Sequence, residues 1–153
     1  MDKLSALLRE LEHHIKDSEK LNLSVSAAPV GWHIEHTMKT FILITQAVKH
    51  SKPEEYRRKF NATKLLVFTL NRIPRGRAKA PESVRPVGEI TAEKLIKIAE
   101  ELKHKLKDWE GMAPDNHFDH PYFGKLNVKA TIKFLKIHTK HHLKIIQDIT
   151  KGK

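Results

Sequence analysis

The segment Asn127–Thr150, NVKATIKFLKIHTKHHLKIIQDIT, decides how the chain is read. Asn127 is suited to cap a helix, and the pattern predicts one from Val128 to about Thr150. Each residue turns a helix by about 100°. Relative to His138, the residues Thr131, Phe134, Leu135, Ile145 and Ile149 then fall within roughly 60°, and His142 lies about 40° away, one turn on. Lys133, Lys136, Lys140 and Lys144 take the opposite side. His138 and His142 therefore stand in the middle of an apolar stripe, and His141 stands on its flank.

Two imidazoles on a core-facing stripe bring four ring nitrogens that need partners. A buried polar group without one costs about 1–3 kcal/mol. Hydrogen bonds satisfy this need in most proteins. A divalent ion also satisfies it, because His at i and i+4 can ligate one ion from a single helix face. A pair makes a weak site, so a third ligand is the requirement. The segment beginning near Pro29, VGWHIEHTMKTFILITQAVKH, supplies candidates. His36 projects with Pro29, Trp32, Thr40, Leu43 and Ala47, again one imidazole on an apolar face. His33 lies one turn earlier and slightly round the helix. Glu35 points away from His36. If these two helices are neighbours, His36 meets the C-terminal pair.

The rest of the chain reads as helices and loops. Asp2–Leu21 is amphipathic, with Leu4, Leu7, Leu8, Leu11, Ile15 and Ser18 at helical spacing. The Pro29 segment is apolar nearly all round, which suits the middle of a bundle or an interface. Ser51-Lys52-Pro53-Glu54 predicts a helix from Glu54 to about Asn71. IPRGRAKAPESVRPVG (73–88) is a long irregular connection, of a length that is often functional. Thr91 caps a helix over Ala92–Glu110, with Leu95, Ile98, Leu102, Leu106 and Trp109 on one face. Residues 111–126 read as a loop, and no segment alternates as a strand would. The expectation is a single all-α domain over residues 1–153, with four long helices, one shorter helix and a long crossover.

Composition narrows the function. The 153 residues contain no cysteine, which excludes disulfides, thiolate metal sites and cysteine nucleophiles. The N-terminus has no signal-peptide pattern, and no apolar run is long enough to span a bilayer. The expectation is a cytoplasmic protein that engages no membrane. The net charge of +11 admits a nucleic-acid partner. The lysines are dispersed along several segments, however, and no aromatic-interleaved basic motif is present, so a lysine-coated helical surface is the expected meaning. There is no GxSxG, Walker loop or paired-carboxylate constellation.

Four stretches together, VGWHIEHTMK, PRGRAKAPESV, NHFDHPYFGKL and HTKHHLKIIQDI, resemble the DinB-like superfamily. The resemblance covers most of the chain in the right order and is nearest to a branch known only as a domain of unknown function. It implies a DinB-like four-helix bundle with a long crossover. It also implies three metal ligands, one His on the second helix and an HxxxH pair on the last, which carry over to His36, His138 and His142. His33 is the alternative to His36, and the resemblance favours His36. Relatives include metal-dependent hydrolases and transferases that use a low-molecular-weight thiol, so the implied cofactor is Zn²⁺, Ni²⁺ or Mn²⁺ and the implied partner a small molecule. Activity varies across such a superfamily, so the resemblance bears on the site more than on the reaction.

Other residues are candidates by type and place. His120 and His141 are the available groups for proton transfer beside such a centre, and His117 and Tyr122 share the HPYFG region. Arg72, Arg75 and Arg77 could hold an anionic substrate. Trp32, Phe41, Phe68 and Trp109 read as core. The alternative to an enzyme is a basic helical protein that binds nucleic acid or acts in assembly, with a structural histidine cluster and the apolar second helix as a dimer seam.

Overall fold

The Asn127 side chain accepts a hydrogen bond from the Ala130 N–H at 3.1 Å and opens the longest helix, α5 (Val128–Thr150). This holds in a computed structural model, which describes residues 2–76 and 80–152. The other helices are α1 (Asp2–His13), α2 (Val30–Lys49), α3 (Ala62–Leu70) and α4 (Ala92–Lys107). The fold is mostly helical with one small sheet. α2 packs against both α4 and α5, and α1 packs against α5. One apolar core joins them, with Leu4, Leu11, Val30, Ile34, Leu95 and Ile146 fully buried. Among the described residues no helix is long and apolar enough to cross a membrane.

The apolar character of α2 is explained by its place at the centre. Its threonines are satisfied within the helix: the Thr37 hydroxyl donates to the His33 carbonyl at 2.7 Å, and Thr45 to Phe41 at 2.8 Å. Thr45 Oγ1 also accepts from the buried Trp109 indole at 3.0 Å, which ties the end of α4 to α2. Glu35 is fully buried on the same helix. Lys39 and Lys94 approach its Oε1 at 2.6 and 3.0 Å, without well-directed hydrogen bonds to either oxygen. Lys94 also donates to the carbonyls of Val87 and Glu89, so one buried carboxylate fastens the crossover to two helices.

At the start of α2 the chain passes close to itself. The Gly31 N–H donates to the Ser18 carbonyl at 2.8 Å. A β-carbon here would meet Ile90 Cγ2 at 2.9 Å and Ser18 O at 3.1 Å. Overpacking costs about 1–3 kcal/mol, and alanine's better helix propensity returns up to about 1 kcal/mol. Gly31→Ala is therefore expected to lower the thermal midpoint by about 2–4 °C, a net loss of about 1 kcal/mol. An unchanged or raised midpoint would show that this approach has slack.

Three expected boundaries are corrected. The first helix gives way at His14 to a 3₁₀ turn over His14–Asp17, where Asp17 draws both His14 Nδ1 and Lys20 to its carboxylate. The helix expected from Glu54 to Asn71 is a 3₁₀ turn at Pro53–Glu55, an extended stretch, and then α3. Asn61 restarts it by accepting from Lys64 N–H at 2.7 Å, and Asn71 ends it in the left-handed region at φ 50°. The helix expected to reach Glu110 stops at Lys107 and tightens into a 3₁₀ turn.

The larger correction is the loop 111–126. It contains a hairpin, β1 (His117–His120) against β2 (Gly124–Asn127), antiparallel with His117 opposite Asn127 and His120 opposite Gly124. Its turn is closed by Phe123 N–H on the His120 carbonyl at 3.2 Å, with Gly124 at φ 66°. Four-residue strands are too short to show a period of two, and Gly-bounded aromatic residues masked the signal.

Candidate metal centre

The two helices that carry the histidines are neighbours, as the site required. His36 on α2 and His138 and His142 on α5 are all buried, and one ring nitrogen from each lies within 4.8 Å of the other two. The Nε2 atoms of His36 and His138 are 3.2 Å apart. Two nitrogens on one tetrahedral ion, each at about 2.0–2.1 Å from it, are separated by about 3.3 Å. The His36–His138 spacing is close to that separation and is also of hydrogen-bond length. Three buried histidines lie close enough to bind a metal ion.

For His36 a backbone carbonyl fixes the ring tautomer, which decides whether a lone pair is available. His36 Nδ1–H donates to the Val84 carbonyl at 3.0 Å, so its Nε2 carries a lone pair facing His138. Val84 belongs to a 3₁₀ turn at Glu82–Val84 within the crossover, so the irregular connection reaches the centre through its backbone. His142 Nδ1 lies 3.0 Å from His33 Nδ1, and His33 Nε2 lies 3.0 Å from Ser26 Oγ. In the proton order that leaves a lone pair on His142 Nε2, His142 Nδ1–H donates to His33 and His33 Nε2–H donates to Ser26. Outer partners of this kind orient metal-bound imidazoles in many centres. His33 stands behind His142, and His36 is the α2 histidine that groups with His138 and His142.

Burial keeps these rings neutral. Desolvation pushes His138 and His142 well below the ordinary histidine range and lowers His36, although the Val84 carbonyl opposes the shift there. His33 falls to about 4, mainly through burial and then through the neighbouring His36, His141 and Arg75. Neutral imidazole is the form that ligates.

The other sequence candidates are sorted by their contacts. His120 stacks on Phe123 at 4.2 Å and meets Phe134 edge-on at 4.6 Å, and Phe134 in turn faces His138 at 5.5 Å. It stands one ring away from the centre, and burial lowers it to about 4. Its Nδ1 accepts from the Tyr122 N–H at 3.1 Å, which leaves the proton on Nε2 and makes that atom a donor. His141 stands edge-on to His142 at 5.1 Å, and burial lowers its pKa against a bond to the Ile73 backbone. His117 is held between the Asp115 carbonyl and the Lys125 ammonium as a structural residue of the hairpin. Tyr122 is 53% exposed at the turn, its ring 6.1 Å from that of His120. Arg75 is paired with Asp148 at 2.7 Å, Arg72 is exposed, and Arg77 lies outside the described residues.

Sequence reasoning missed two contributors. Trp32, read as core, is half-buried and stacks on His36 at 5.0 Å and 15°. Its place one turn before His36 was the available signal. Ser26 gave none, because its role depends on how the loop before α2 folds back. Two surface grooves lie between α1 and α5 and among α1, α2 and α4, and neither is lined by a histidine of the centre. No family model, no curated protein and no solved structure matches the chain.

Proposed function

We propose that this chain is a metal-dependent enzyme of the DinB-like type, a four-helix bundle acting as a hydrolase or a thiol-dependent transferase on a small molecule. The observation that carries the reading is the set of three buried histidines, from two helices, within reach of one ion. A bound Zn²⁺, Ni²⁺ or Mn²⁺ would supply Lewis acidity and lower the pKa of a coordinated water or thiol. The chain's own residues do the remainder. His36, His138 and His142 present neutral nitrogens, the Val84 carbonyl and His33 fix the orientation of two of them, and Trp32 shields His36. His120 Nε2–H, one ring away from the cluster through Phe134, is a donor for a substrate oxygen. No carboxylate joins the cluster among the described residues, so proton transfer falls to the imidazoles of His120 and His141 or to water. The chain has no cysteine, so a thiol in the reaction comes from a second substrate.

His33→Ala removes an outer partner and not a ligand. It is expected to weaken Zn²⁺ binding by about 10–100-fold, with the far-ultraviolet helical signal retained. Competition titration against a chromophoric chelator measures this. Affinity that stays within a factor of two would show that His33 does not orient His142.

A second reading has its own support. The 3.2 Å and 3.0 Å nitrogen pairs are also of hydrogen-bond length, so a structural histidine cluster satisfies the same rings in a non-enzymatic helical protein. The metal-loaded protein should be assayed with activated esters, and with a thiol plus an electrophile, each with and without chelator. Chelator-sensitive turnover that is lost in His36→Ala supports the enzyme. Bound ion without turnover in any assay favours the second reading.

A further inference from the structure

From Arg57 to Arg75 the chain carries six cations (Arg57, Arg58, Lys59, Lys64, Arg72 and Arg75) and no carboxylate. α3 lies within this stretch. It buries Val67 and rests Phe68 on Phe123 at 5.9 Å. Helical geometry places Ala62, Thr63, Leu65, Leu66, Thr69 and Leu70 on the remaining arc. None of these is charged, and Leu65, Leu66 and Leu70 are 57%, 59% and 63% exposed. Phe60, just before the helix, is 84% exposed. The result is a protruding apolar ridge with cations at both ends. Arg57 is held by the carbonyls of Glu54 and Tyr56, which fix it without neutralising it. Arg75 is paired with Asp148, and Arg58, Lys59 and Arg72 are exposed.

We propose that α3 and its cationic flanks form a peripheral seat for an anionic lipid surface. Side chains this exposed form a ridge, and the headgroup–acyl boundary accepts such a ridge while its phosphates meet flanking Lys and Arg. Charge complementarity selects this occupant over the others. A second copy would set a cationic face against the same face. An amphipathic acidic peptide needs a groove for its apolar side, whereas Leu65, Leu66 and Leu70 stand out from the surface as a ridge. A nucleic acid would bring phosphates onto three exposed leucines, which offer no face for base stacking. The contact is peripheral and independent of the metal reading, and the longer helix expected from Glu54 to Asn71 hides its outward arc.

The test is co-sedimentation of the full chain with vesicles of phosphatidylcholine alone and of phosphatidylcholine mixed with phosphatidylglycerol. Binding is expected only to the mixed vesicles, and salt should weaken it. Each cation near the surface is worth about fivefold, so Arg57→Gln/Arg58→Gln/Lys59→Gln should weaken partitioning about a hundredfold. Leu65→Gln/Leu66→Gln/Leu70→Gln should do so by at least as much, with the fold checked by circular dichroism. A charge-matched control, Lys3→Gln/Lys97→Gln/Lys107→Gln, alters exposed lysines of α1 and α4 and should bind nearly as the parent does. The proposal is overturned by equal binding to both vesicles, by binding to neither, or by a control as weak as the Arg57 variant. Retention of polyuridylate by this face without vesicle binding would also overturn it and make it a nucleic-acid surface.

Discussion

Replacement of His138 by alanine is expected to abolish binding of a divalent ion while the protein stays folded. The parent, freed of metal and reloaded, should hold about one ion per chain, as a single centre requires. His138 supplies one of only three ligands, and its Nε2 is the partner of His36 Nε2 at 3.2 Å. Loss of an outer partner weakens metal binding by about 10–100-fold, so loss of a ligand should exceed about a hundredfold. The fold should survive. The imidazole is removed from a stripe still held by Phe134, Leu135, Ile145 and Ile149. The stranded His36 nitrogen costs about 1–3 kcal/mol, which a stability of about 5–15 kcal/mol can absorb. Elemental analysis and circular dichroism read the two halves of the result. A variant that keeps its ion would remove His138 from the centre, and a variant that loses its helical signal would make the cluster a structural element first.

The metal-free protein is expected to unfold in mild acid. His33, His36, His120, His138, His141 and His142 are all lowered by burial. Their folded pKa values lie below the value of 6.5 that the unfolded chain retains. Above that pH both states are neutral and the stability is fully present. As pH falls below 6.5 the unfolded state binds protons that the native state refuses, so stability is lost at about 1.4 kcal/mol per pH unit for each group. For His33 and His120 the loss runs from 6.5 to about 4, about 3 kcal/mol each. Those two alone reach the lower range of domain stability, and the four others add to them. Urea midpoints of chelator-treated protein should fall steeply between pH 6.5 and 4. Bound ion should hold the midpoint up to lower pH, because protonated imidazole cannot ligate. Proton competition for the ion begins below the ordinary histidine range, because burial lowers these rings. A flat midpoint down to pH 4 would mean that water reaches these histidines freely.

The helices of the core were legible because their apolar residues recur at helical spacing and their caps are explicit. Asn127 and Thr91 cap α5 and α4 in the structure. The inward direction of His138 and His142 followed from geometry alone, because a stripe that is otherwise Phe, Leu and Ile fixes which way its polar members point. The pairing with His36 was a conditional statement that only the packing of α2 on α5 could complete. What stayed hidden depends on contacts distant in sequence or on elements too short to show a period. The hairpin at 117–127 has four-residue strands. The break before α3 rests on a single asparagine cap. The Val84 carbonyl on His36, the Ser26–His33–His142 chain and the Lys94 clamp on Glu35 join residues far apart or across irregular backbone, where no periodicity carries information.

Whether one ion sits among three imidazoles is decided by X-ray absorption at the metal edge of the zinc-loaded protein. A first shell is expected at about 2.0–2.1 Å with the multiple-scattering signature of three histidine rings, the remainder being light-atom solvent. The same spectrum in His36→Ala should show two rings or a free aqueous ion. A zinc shell without imidazole scattering in the parent protein would rule out this centre and leave the buried histidines as a hydrogen-bonded cluster.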